Sequence, residues 1–205
     1  MRYLSIYLRL ALIALFLSSG TAVSLMAQDP VEQARKWADQ AKEQEAEAKE
    51  AKAKLDCDRP RNADKKALVK AVNAARDAAE NAQTWADKAK TAAEEAAKTA
   101  DKHPNNQKAQ DAKAAAAAQT AADEAKTAYN NALGEAPGMK AAAGIEAELD
   151  KADVSGNSKK KKIVDRLKQK ARETAEQNPC EPEEVKRAVR PELADIKNEV
   201  RSNEE

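Results

Sequence analysis

The chain has 205 residues and a formal net charge of +1, with 35% charged and only 3% aromatic residues. So even a balance gives no overall field to gather nucleic acid or an acidic surface, and so few large apolar side chains starve an ordinary globular core. Alanine, lysine, glutamate and aspartate fill the sequence instead, a composition that over long windows favours helix.

Residues 1–27 read as a signal peptide. Arg2 and Arg9 mark a positive start, Leu10 to Leu17 is an apolar run, and Ser18-Ser-Gly20 precedes a small-residue cleavage site at Ala27. Cleavage there leaves a mature chain from Gln28 that is exported to the periplasm or the extracellular space. The alternative is an uncleaved anchor, because Leu10 to Ala27 carries no charge and approaches the ~18 to 20 residues that cross a bilayer.

A first helix is expected from Val31 to Leu55, with Asp29 as N-cap and Pro30 at the first helical position, where its missing N–H costs nothing. It stops before Cys57-Asp-Arg-Pro60. A second begins after Asn62 and runs to about Lys102. Its positions Leu68, Val72, Ala75, Ala79, Ala82, Ala86, Ala89, Ala93, Ala96 and Ala100 alternate spacings of four and three, the heptad pattern of a supercoiled seam. A third, from about Asn106 to Leu133, continues the pattern through Ala115, Ala118, Ala122, Ala125, Tyr129 and Ala132. Each buried methyl contributes only about 0.8 kcal/mol, so such a stem depends on length and propensity.

One phrase recurs in all three helices: Ala34-Arg-Lys-Trp-Ala-Asp-Gln-Ala-Lys42, Ala82-Gln-Thr-Trp-Ala-Asp-Lys-Ala-Lys90 and Ala118-Gln-Thr-Ala-Ala-Asp-Glu-Ala-Lys126. The midpoints between copies fall at Arg61 and His103, both in breaks, so a chain that reverses at each break sets the three phrases side by side. Trp37, Trp85 and Ala121 then occupy equivalent positions, two indoles against one methyl, as core anchors of a thin interface. The other reading of the indoles is an aromatic ligand pair.

After Gly134-Glu-Ala-Pro-Gly138 the composition changes. A short helix is expected from Met139 to Ala152, a turn at Asp153-Val-Ser-Gly-Asn-Ser158, a basic helix from Lys159 to Gln177, and a last helix from Pro182 to Val200 that Pro191 should kink or divide. The expected fold is therefore all-α: alanine-rich antiparallel helical hairpins or a coiled coil of three long helices over 28–134, with a smaller C-terminal helical region over 135–205.

Two cysteines in an exported chain read first as one disulfide, Cys57 with Cys180, against the alternative of free or intermolecular thiols. Counting helix reversals returns Cys180 to the end of the stem that holds Cys57, although the fourth helix is much shorter than the second. His103 stands alone, without a metal-ligand set, and there is no phosphate loop, GxSxG or HExxH. Neither a catalytic residue nor a cofactor or metal is expected. Lys159, Lys160, Lys161, Lys162, Arg166, Lys168, Lys170 and Arg172 make one helix strongly basic. They are candidate contacts for an anionic membrane or another polyanion, or else a solvated face balanced by Glu181, Glu183, Glu184, Glu192 and Glu199. Without stacking aromatics beside this run, nucleic acid is not an expected partner.

The stretch Ala86-Asp-Lys-Ala-Lys-Thr-Ala-Ala-Glu-Glu-Ala-Ala-Lys-Thr-Ala-Asp101 resembles group 3 late-embryogenesis-abundant proteins in composition, and also the helical stalk of envelope-spanning proteins such as the colicin-import stalk protein. The first resemblance implies a stress-protective protein that folds on drying or on a membrane. The second implies a spacer in the cell envelope. From the residues themselves the expectation is a non-enzymatic helical scaffold or interaction protein, meeting a protein partner or a second copy of itself through its helical faces.

Overall fold

A computed structural model describes residues 29–98, 105–151 and 158–201. The described residues form helices α1 (Pro30–Lys54), α2 (Asn62–Lys98), α3 (Asn105–Glu135), α4 (Pro137–Asp150), α5 (Ser158–Gln177) and α6 (Pro182–Arg201). The expected signal segment, His103 and the turn at 153–157 lie outside them.

Local chemistry sets the helix ends. The Asp29 carboxylate accepts the Val31 N–H at 2.9 Å and Pro30 opens α1, which satisfies one donor that the first turn leaves unpaired. At the break that follows, Asp56 Oδ1 accepts the N–H groups of Asp58 at 3.0 Å and Arg59 at 3.4 Å, an Asx turn that reverses the chain. Arg61 then pairs with Asp64 at 2.7 Å in the first turn of α2.

Helices α1, α2 and α3 each pack along the other two. Leu68, Val72, Ala75, Ala79, Ala82, Ala86 and Ala89 of α2 are buried as the heptad predicts, Ala93 is only half-buried and Ala100 lies outside the described residues, and Ala71 and Ala78 add a second buried row. Two neighbours require a wider apolar face than one seam supplies. The outer half of this stem is closed almost wholly by alanine. Toward its base, Leu55, Leu68, Val72 and Leu133 join one continuous cluster with Met139, Leu149, Val164, Leu167, Val185 and Val189 from the C-terminal helices.

Only Ala136 separates α3 from α4. Helices α4, α5 and α6 pack chiefly on one another as a cap, and the cap meets the stem where α4 follows α3 and where α5 touches α2. The unequal lengths of the second and fourth helices are no obstacle, because α4 begins and α5 ends at the base: Gly138 N–H donates to Pro179 O at 2.8 Å, and Lys65 donates to Gln177 O at 3.1 Å. Of the two outcomes expected at Pro191, division does not occur: Pro191 lies inside a single continuous helix α6. Both Pro191 and Arg187, whose carbonyl loses its N–H partner, are exposed, so water can take the bond that the ring removes, while the buried Val185 and Val189 hold the helix in place.

Candidate functional site

Three places bring together the residues that the sequence singles out. The first is the outer half of the stem. Lys42 of α1 pairs with Glu124 of α3 at 2.6 Å, a separation of 82 residues, and Asn131 donates to Glu45 at 3.2 Å, a separation of 86. The offset between Trp37 and Ala121 lies midway between these two, so the first and third copies of the repeated phrase run in the same register. The second copy meets them in one alanine cluster that includes Ala34, Ala41, Ala82, Ala86, Ala118 and Ala125. Ala121 is buried in that cluster, and Trp37 and Trp85, both half-buried, pack against the cluster. Lys88 Nζ sits 3.9 Å from the centroid of the Trp85 ring, a cation–π contact.

The second place is the base. Cys57 in the α1–α2 connection is joined to Cys180 in the α5–α6 connection, with a Cα–Cα distance of 5.9 Å. Lys52 Nζ lies 2.8 Å from Cys57 Sγ and 4.0 Å from Cys180 Sγ. Beside the bridge, Gly138 is so close to the α5–α6 connection that a Cβ on it would stand 2.2 Å from Asn178 O. The α1–α2 break, the α3–α4 junction and the α5–α6 connection thus meet at one end of the stem.

The third place is the basic helix α5. Arg166 pairs with Glu192 at 2.8 Å and Lys170 with the same carboxylate at 3.0 Å. Lys168 pairs with Asp150. Arg172 grips both oxygens of Glu146, at 2.6 and 2.5 Å, and that hydrogen bonding pushes its proton affinity up further. Lys170 and Arg166 hold the Glu192 carboxyl below its usual range. Lys161 and Lys162 are exposed, Lys160 is half-buried, and Lys159 stands in the first turn. The expected acidic balance comes in part from Glu192 of α6; Asp150 and Glu146 of α4 are partners that the reading of the sequence missed. Their spacing relative to α5 becomes legible only once α4 is known to lie beside it.

Between stem and cap, Tyr129, Arg76, Glu146 and Arg172 line a recess of about 30 Å³, room for about one water. Burial pushes the Tyr129 hydroxyl above its usual pKa. A larger groove of about 730 Å³ lies between α4 and α6, floored by Ala141, Gly144, Ile145, Val189 and Leu193. No sequence motif announces it. Among the described residues, no group of three or more His, Cys, Asp or Glu side chains is placed to hold a metal ion, and no helix is long and apolar enough to cross a membrane. The chain matches no known protein family, curated protein or solved structure.

Proposed function

We propose that this protein is an exported, non-enzymatic scaffold or interaction protein of the cell envelope, working in the periplasm or outside the cell through its helical faces toward a protein partner or a second copy. The observation that carries this reading is the register of the stem, where contacts between α1 and α3 fall on either side of the repeat offset. A chain that repeats a phrase so that its copies meet in one layer is built for a defined rod. The signal-like start of the sequence supports export, and the Cys57–Cys180 bridge suits an oxidising compartment.

Circular dichroism and sedimentation velocity of the mature chain, with and without reductant, test this. The expected result is high helicity and one cooperative melt in plain buffer. Helix that forms only with lipid or trifluoroethanol would replace the scaffold with a group 3 late-embryogenesis-abundant type of stress protection. A second reading, binding of an anionic membrane or polyanion through α5, draws support from the exposed Lys161 and Lys162; co-sedimentation with anionic liposomes tests it, and indifference to lipid charge removes it.

A further inference from the structure

In the last turn of α1, Lys52 turns its ammonium onto the Cys57–Cys180 bridge, with Nζ 2.8 Å from Cys57 Sγ and 4.0 Å from Cys180 Sγ. Neighbouring lysines of the helix behave otherwise: Lys49 pairs with Glu45 and Lys54 with Glu50, each at 2.6 Å. Four residues before Lys52 stands Ala48, which offers no such partner. Four residues after it, Asp56 has its Oδ1 on the N–H groups of Asp58 and Arg59. A cation in the last turn suits the helix dipole, but the exposed Lys54, nearer the helix end, already meets that need.

A neutral sulfur is a weak hydrogen-bond acceptor, whereas a thiolate beside an ammonium makes a charge-assisted pair. The half-buried Lys52 ammonium is therefore better matched to the open bridge than to the closed one. The two sulfurs are also unequal, since Cys57 has the direct contact. Asp56 and Asp58 flank Cys57 and Glu181 follows Cys180, but all three are exposed and screened by solvent. Both cysteines are only half-buried, so the bridge is not sealed in the core.

We propose that the base of the stem is a thiol–disulfide exchange site, at which an external thiolate attacks Cys180 Sγ and Cys57 leaves as a thiolate held by Lys52. The attacking sulfur supplies the electron pair of the new bond to Cys180, and the pair of the broken S–S bond goes to Cys57. A second thiolate, from the same dithiol or another thiol, then attacks the outer sulfur of the mixed disulfide, forms its own disulfide and frees Cys180 as a thiolate. The thiol source loses two electrons and the bridge gains them. This protein is the substrate of the exchange and catalyses nothing. Opening the bridge unties the α5–α6 connection from the α1–α2 connection, while the shared core and the Lys65–Gln177 and Asn73–Glu176 hydrogen bonds still join cap to stem. The proposal does not rest on the scaffold reading.

Timed alkylation and mass spectrometry of the oxidised protein, treated with glutathione or with reduced thioredoxin at equal thiol, test it. Reduction should rise in proportion to thiol concentration, and the faster reagent identifies a small thiol or a protein dithiol as the source. Glutathione caught in the mixed disulfide should map to Cys180, with the alkyl group on Cys57. Lys52→Met should slow reduction about threefold or more and Lys52→Arg should restore most of the rate. In a Cys180→Ser protein, which holds Cys57 as a free thiol, Lys52→Met should move the pH profile of iodoacetamide alkylation upward. Inertness to both thiols, or a rate independent of their concentration, which marks opening by global unfolding alone, overturns the proposal. So does glutathione found chiefly on Cys57, or a Lys52→Met protein that matches the parent in both reduction rate and alkylation profile. Helicity and melting of the oxidised samples read the scaffold separately.

Discussion

Glycine divides the residue scale into two opposite cases. Gly138 donates to Pro179 O and faces backbone that cannot retreat cheaply, so Gly138→Ala should cost about 1–3 kcal/mol as overpacking, read as a lower denaturant midpoint. Gly144→Ala should raise stability by about 1 kcal/mol through helix propensity alone. Charge at Glu192 makes a different prediction. Its carboxyl is depressed by the Lys170 hydrogen bond and the nearby Arg166, so its stabilising contribution is complete above the ordinary carboxylate range near pH ~4.3 and drains away as pH falls through the lower folded value. Thermal melts from pH 7 to pH 2 should therefore find the parent more stable than Glu192→Gln at neutral pH, with the gap closing in acid.

At the scale of elements, the stem was the most legible part of the chain. Asp29-Pro30 fixes one helix start, the heptad marks the buried side of α2, and the repeat offset gives the α1–α3 register before any contact is known. Other features could not be read. A second buried row at Ala71 and Ala78 arises from α1 and α3 both packing on α2, and alanine at those positions looks like alanine anywhere else on the helix. That Pro191 would leave the helix undivided is not legible locally, because a rule about one missing N–H does not weigh the burial of Val185 and Val189 on the same helix. The groove and the Glu146–Arg172 pair depend on which helices become neighbours in the cap, information that periodicity within one helix does not contain. Two substitutions separate the halves of the core. Leu68→Ala at the base should cost about 2–5 kcal/mol, while Ala122→Leu in the alanine-only half should cost about 1–3 kcal/mol by forcing close helices apart; chemical denaturation measures both.

For the whole molecule the decisive features are the shared core at the base and the covalent tie across it. The bridge closes a separation of 123 residues, and its loss through a Cys57→Ser, Cys180→Ser pair should cost about 2–5 kcal/mol, seen as a lower melting temperature that reductant reproduces in the parent. Helix α1 enters from the end of the stem away from the bridge and reaches it after 25 residues, about 37 Å at the helical rise; α6 leaves from beside the bridge. Tension between the two ends of the described chain therefore takes a short circuit: along α1, through sulfur, and out along α6. Everything from α2 to α5 is spared the strain, like a coil of rope lashed off at its neck. Stretched as a single molecule, the oxidised protein should stop short of the reduced one by roughly 400 Å of released thread.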